Sequence, residues 1–175
     1  GYGNYGNLDV LANYLFRLSD RDKLNVNFKM DGMDGTLDMP FGDTRKWNAF
    51  YYRTRANVDY VHQFAKLDLN VAGNFGLSNF NYEPYGFKKQ KFTSGDVHFG
   101  VKSTDETLPL QYRAETNLML YGRQQCQLFG GVNETMVRTL ATVSGSVSDE
   151  QTVAIGFAMN NLIYGNELKE NKDRI

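Results

Sequence analysis

Six charged side chains stand at positions whose spacing gives them a common direction on extended chain: Lys29, Arg53, Arg55, Arg113, Glu115 and Arg138. Each lies mid-segment, on the polar phase of a polar/apolar alternation. Such a set suits ionic and hydrogen-bonded contact with a solute or another protein segment rather than bond-making chemistry. No serine, histidine and acid can be placed at matched depth on neighbouring elements, so no nucleophile and base are nominated. Asp31, Asp34 and Asp38 in DGMDGTLD offer the hard oxygens that Ca²⁺ prefers, but their spacing departs from the EF-hand loop and reads as turn-forming Asp. His62 and His98 lie far apart with no Cys/His cluster, and Gly130-Gly131 is not set in a strand-to-helix phosphate loop. No cofactor or metal is expected.

The elements that must carry those charges are long strands. In Lys23–Asp31, Leu24, Val26, Phe28 and Met30 point one way and Lys23, Asn25, Asn27, Lys29 and Asp31 the other, the period of a two-faced strand. Residues 8–18 alternate likewise, with Leu11 and Leu15 blurring the polar side, and Ser19-Asp20-Arg21-Asp22 forms a tight turn between them. A second hairpin spans 48–78 around His62–Lys66, a third 91–120 around Ser103–Thr107, and a fourth 137–159 around Ser148–Gln151. The stretches 34–46, 79–90 and 122–133 are rich in Gly, Asp, Tyr and Asn and read as long irregular loops. The chain opens on a Gly/Asn/Tyr segment and closes on a charged tail.

Composition agrees with strands: 11 Tyr and 12 Phe accompany 17 Gly and 3 Pro. The mean hydropathy of -0.50 argues against a thick interior. A net charge of -1 gives no field that would recruit nucleic acid, and a single cysteine supplies no disulfide framework.

Two regularities narrow the class. The strands read as about ten to twelve residues each, twice the length common in soluble sheets, and at a tilt near 45° would cross ~25 Å of bilayer. Connections alternate short and long, as periplasmic turns and extracellular loops do. Mid-strand charges share the polar parity, and an Arg or Lys facing lipid at midplane would cost about 2–4 kcal/mol, which directs them into a lumen. Phe50, Tyr51, Tyr52, Phe80, Tyr82, Tyr121 and Tyr164 toward one end, and Tyr60, Phe64 and Tyr112 toward the other, are expected as interfacial girdles. The expected fold class is therefore all-β: an antiparallel, up-and-down transmembrane β-barrel segment of eight strands in four hairpins, a single region over 1–175. Both ends fall on the long-loop side, and Asp173-Arg174-Ile175 lacks a terminal aromatic, so an interior piece of a larger barrel is expected.

The segments LDVLANYLFRLSDRDKLNVNFKMDGMDG and FYYRTRANVDYVHQFAKLDLNVAGNFG resemble barrel strands of TonB-dependent receptors of the Bacteroidetes type, through hairpin rhythm, an S-D-x-D turn and Asn/Tyr-rich strands. That resemblance implies a plugged barrel of roughly 22 strands, of which this chain would be about a third. It also implies a place in the bacterial outer membrane, with lipid, a plug domain, a TonB-type energiser and an unidentified solute as partners. The plug and the TonB-contacting box are absent from these residues, and no family site residue transfers. The six charged residues are the candidate lumen contacts to a solute or plug. Two other readings stand beside it: a soluble lipocalin-like or β-sandwich binding module, and an outer-membrane barrel hydrolase.

Overall fold

A computed structural model of the protein describes residues 2–3, 6–38, 46–82, 88–126, 130–148, 150–166 and 172–174. It is one antiparallel sheet in which every strand pairs with its neighbour in sequence. Eight long strands make up its body: β2 (Asn7–Arg17), β3 (Asp22–Asp38), β4 (Lys46–Gln63), β5 (Leu67–Tyr82), β6 (Lys88–Ser103), β7 (Gln111–Cys126), β8 (Gly130–Ser148) and β9 (Gln151–Asn166). Short pieces β1 (Tyr2–Gly3) and β10 (Lys172–Arg174) add to the two edges. The up-and-down order and the four hairpins are as the alternation predicts. Among the described residues the sheet is open, with no pairing between its first and last strands.

The strands are longer than predicted, 16–19 residues from β3 to β9. Much of what reads as long loop is paired strand: Asp34 faces Phe50 and Asp38 faces Lys46, while Asn81 faces Lys89. The connections that remain on that side, 39–45, 83–87 and 127–129, are 7, 5 and 3 residues long, against 4, 3, 7 and 2 on the other side. The asymmetry lies in strand extension instead. The sequence hides this extension because the alternation reverses phase near Gly32: beyond it Met33, Gly35 and Leu37 occupy the formerly polar parity, and Asp34, Thr36 and Asp38 the formerly apolar one. A side chain at Gly32 would meet the Tyr51 carbonyl oxygen at 2.8 Å, so the switch point takes glycine.

The tight turns behave as their residues dictate. Asp22 accepts the Ser19 hydroxyl, Ser19 Oγ accepts the Arg21 N–H at 3.1 Å, and Leu18 N–H donates to the Asp22 carbonyl at 3.1 Å. Asp105 Oδ1 accepts the N–H and hydroxyl of Thr107 at 2.9 and 2.5 Å, an Asx turn. Neighbouring turns are tied together, Gln63 N–H to the Arg21 carbonyl at 2.9 Å and Thr104 N–H to the Lys66 carbonyl at 3.0 Å.

This sheet has almost no interior. Ala49 and Val132 are the buried apolar residues among those described, at 4% and 7% exposure. The accessible surface, 12731 Å², compares with the ~8,700 Å² that scaling gives a compact protein of this mass. Both faces are uncovered, and no second sheet or ligand-enclosing barrel stands among the described residues.

The register divides the side chains. Tyr14, Val26, Val58, Gly73, Val97, Leu118 and Val137 form one cross-strand row of the apolar face, with Phe28, Phe75, Phe99 and Leu120 in adjacent rows and Phe157 one row beyond. From Tyr52 to Tyr60 on β4, Leu69 to Leu77 on β5 and Thr93 to Val101 on β6, this face bears no charged residue. Hydroxyls within it find partners: Thr116 and Thr139 bond each other at 3.0 Å. Past that band, toward the 39–45 side, the same face becomes polar, with Asp34, Asp38, Lys46, Asn48, Asn79, Asn81 and Lys91. The opposite face turns apolar there, with Trp47, Ala49, Tyr51, Phe80, Phe92 and Val132.

The phase change corrects the aromatic expectation. Phe50, Tyr52, Tyr60 and Tyr112 lie on the apolar-band face near its two ends and Phe64 in a turn, but Tyr51, Phe80, Tyr121 and Tyr164 project from the other face. Phe80 stacks on Phe92 at 5.7 Å, and Phe92 lies 6.2 Å from Tyr121, an aromatic row on the opposite face rather than a girdle. The side chain of Tyr82 lies outside the described residues.

Candidate functional site

All six sequence-predicted residues project from the polar face, as their parity requires, but they fall into separate groups. Arg53 lies opposite Asp31, its Nε and Nη2 donating to the two carboxylate oxygens at 3.1 and 3.0 Å; the Tyr51 hydroxyl donates to the same carboxylate. Arg53 is therefore engaged within the sheet. Glu115 accepts from Arg113 Nη2 at 2.8 Å, and beside them Lys102 Nζ lies 3.6 Å from Asp68 Oδ2. That group is neutralised internally, around a hollow of about 310 Å³ beside Gly100 and His98.

Lys29 and Arg55 face each other across β3 and β4, flanked by Leu11 and Gly76. Both are exposed, and neither makes an ion pair or hydrogen bond among the described residues. Arg138, exposed on β8 between Asn117 and Asn160, stands apart from the rest. The six residues thus form two engaged pairs or clusters, one bare cation pair and one isolated arginine.

A feature that no single segment displays crosses the middle of this face. Asn13, Asn27, Asn57, Asn74 and Asp96 occupy one row over five strands. Asn13 Nδ2 donates to Asn27 Oδ1, Asn27 to Asn57 at 3.0 Å, Asn57 to Asn74 at 2.6 Å, and Asn74 to Asp96 Oδ1 at 2.7 Å. Every amide points its N–H the same way, and the chain ends on a carboxylate, which accepts only. The polarity is cooperative, since Asn27, Asn57 and Asn74 each both accept and donate. Its sequence signal is the shared parity of these residues; their alignment needs the register.

At the turn end, Asp22 gathers Ser19, Tyr60 Oη at 2.6 Å and His62 Nδ1 at 2.5 Å. The Ser19 hydroxyl, then Tyr60 and His62, hold the Asp22 carboxyl well below the usual carboxylate range. Ser19 bonds the carboxylate rather than the imidazole, so this cluster is arranged to fasten a turn. Asp31 and Asp34 point to opposite faces of β3, and among the described residues no three His, Cys, Asp or Glu side chains gather as a metal site.

Comparison with protein families, with curated proteins and with solved structures finds no match for this chain.

Proposed function

We propose that the chain is a stretch of a transmembrane β-barrel in a bacterial outer membrane, serving in a receptor or uptake transporter of the TonB-dependent type. One observation carries the reading: an apolar face with no charge over about nine residues of each central strand, uncovered by any second layer among the described residues. Nine to eleven residues at a 45° tilt match the hydrocarbon thickness. Every mid-strand charge lies on the opposite face, where an aqueous interior would accept it. The reversed extension then stands in water outside the membrane, its outer side carrying Thr36, Asn48 and Asn81, which bond one another and the backbone.

Open edges argue for more strands. Along β2 from Asp9 to Arg17, and along β9 below Leu162, backbone N–H and C=O groups have no partner strand among the described residues. In hydrocarbon each such group costs several kcal/mol, so further strands close the barrel.

Cysteine labelling in outer-membrane vesicles tests the reading, in a chain whose Cys126 is replaced by Ser. A cysteine at Val97 or Phe157 should react only with a lipid-soluble maleimide, and one at Asn57 or Arg55 with a water-soluble one. Water-soluble labelling of both faces would sink the membrane assignment and favour a soluble binding module. Uptake by the complete protein tests the transport reading, and esterase turnover would instead favour the hydrolase.

A further inference from the structure

We infer that Lys29 and Arg55 form a recognition site for an anionic group, a carboxylate or phosphate; this rests on the reading that the polar face lines an aqueous interior. Like charges directly opposite on adjacent strands repel, and this pair is kept without a compensating acid. The neighbouring carboxylates are committed elsewhere. Asp31 is held by Arg53 and Tyr51, Asp96 ends the asparagine ladder, and Asp59 accepts from Asn70 at 3.0 Å. Asp9, opposite Asp31, also has a partner of its own.

The site is concave for an identifiable reason. Gly76 stands opposite Arg55 and leaves a hollow of about 350 Å³ walled largely by apolar groups, Leu11 and Phe75 among them, with Lys29, Arg55, Ser94 and the ladder asparagines supplying its polar groups. A side chain at Gly76 would fill it, its Cβ meeting Ser94 Oγ at 2.5 Å. The polar groups at the hollow are donors that suit an anion: an ammonium, a guanidinium, a hydroxyl, and ladder amides with one N–H each beyond the ladder bond. The Arg113–Glu115 and Lys102–Asp68 cluster, with equal numbers of each sign, is the internal contrast and carries no such preference.

The anion has two possible sources, a dissolved solute or an acidic side chain of another segment inside the barrel. Titrating the full-length protein in detergent with inorganic phosphate and with citrate, at low ionic strength, separates them. A dissolved anion is the source if wild type binds either probe, K29Q/R55Q binds at least tenfold more weakly, and D68N/K102Q, in the neutral cluster, binds as wild type does. An internal acid is the source if wild type binds neither probe but K29Q/R55Q alone unfolds earlier at low salt, a difference that high salt removes. Equal binding by wild type and K29Q/R55Q, or no binding together with unchanged salt-dependent stability, overturns the inference. Labelling of a cysteine at position 55 reports separately on the interior reading, so the two can fail independently.

Discussion

Arg53 lies directly opposite Asp31 and reaches both of its carboxylate oxygens, a two-pronged pairing between adjacent strands that the Tyr51 hydroxyl completes. Lysine at position 53 keeps the charge and loses the fork. Because the Arg53 side chain is 39% exposed, R53K should cost only about 0.5–1 kcal/mol. Urea unfolding of the detergent-solubilised protein measures it, and an unchanged midpoint would show that the pairing contributes nothing.

Asn57 is the middle rung of the ladder, accepting from Asn27 and donating to Asn74. N57A removes two bonds and strands one donor and one acceptor. On a half-exposed, wet face the loss should be about 1 kcal/mol. The double change N27A/N57A should cost less than the sum of the single ones, since the two share a bond. Strict additivity would contradict the ladder as a connected unit.

Val97 lies in the middle row of the charge-free band, with its side chain half exposed. On the proposed membrane assignment, V97R should destabilise the protein in bilayers by about 2–4 kcal/mol, the midplane cost for a lipid-facing arginine. Arginine at Asn57, in the adjacent row but on the other face, should cost far less in assembly. Folding yield into lipid vesicles compares the two, and equal yields would count against the facing assignment.

Asp22 links turn stability to pH. Its carboxyl is held low by Ser19, Tyr60 and His62, so its stabilisation is fully present above the unfolded-state value of about 4 and is lost as pH falls through the lower folded-state value. D22N should therefore weaken the protein at pH 5–8, and the gap from wild type should narrow steadily below about pH 4. Hydrogen exchange at the Leu18 amide, which donates to the Asp22 carbonyl, reads this locally. A gap that widens in acid would reverse the assignment.

The eight-strand order and the division of the charged residues were legible because both depend on a period of two, which each segment displays alone. Lys29, Arg53, Arg55, Arg113, Glu115 and Arg138 all lie on the face their parity assigns. The extensions were not legible, because Met33–Leu37 alternates in the opposite phase to Leu24–Met30 and reads as irregular beside it, while on the facing strand only 48 onward reads as strand. A phase change looks like noise until its partner strand shows the same change at the same height.

Register marks the remaining boundary. Across tight turns the chain itself determines it: with Arg17 opposite Lys23, Asn13 must face Asn27, and the 64–66 connection likewise sets Asn57 opposite Asn74. Connections of five or seven residues impose no such alignment, since a two-residue slip preserves every side chain's face. Only the assembled sheet therefore decided that Asn27 meets Asn57 and Asn74 meets Asp96, joining two short pairs into one ladder. The same alignment of β3 with β4 set Asp31 against Arg53 and Lys29 against Arg55, satisfying one arginine and leaving the other beside a like charge.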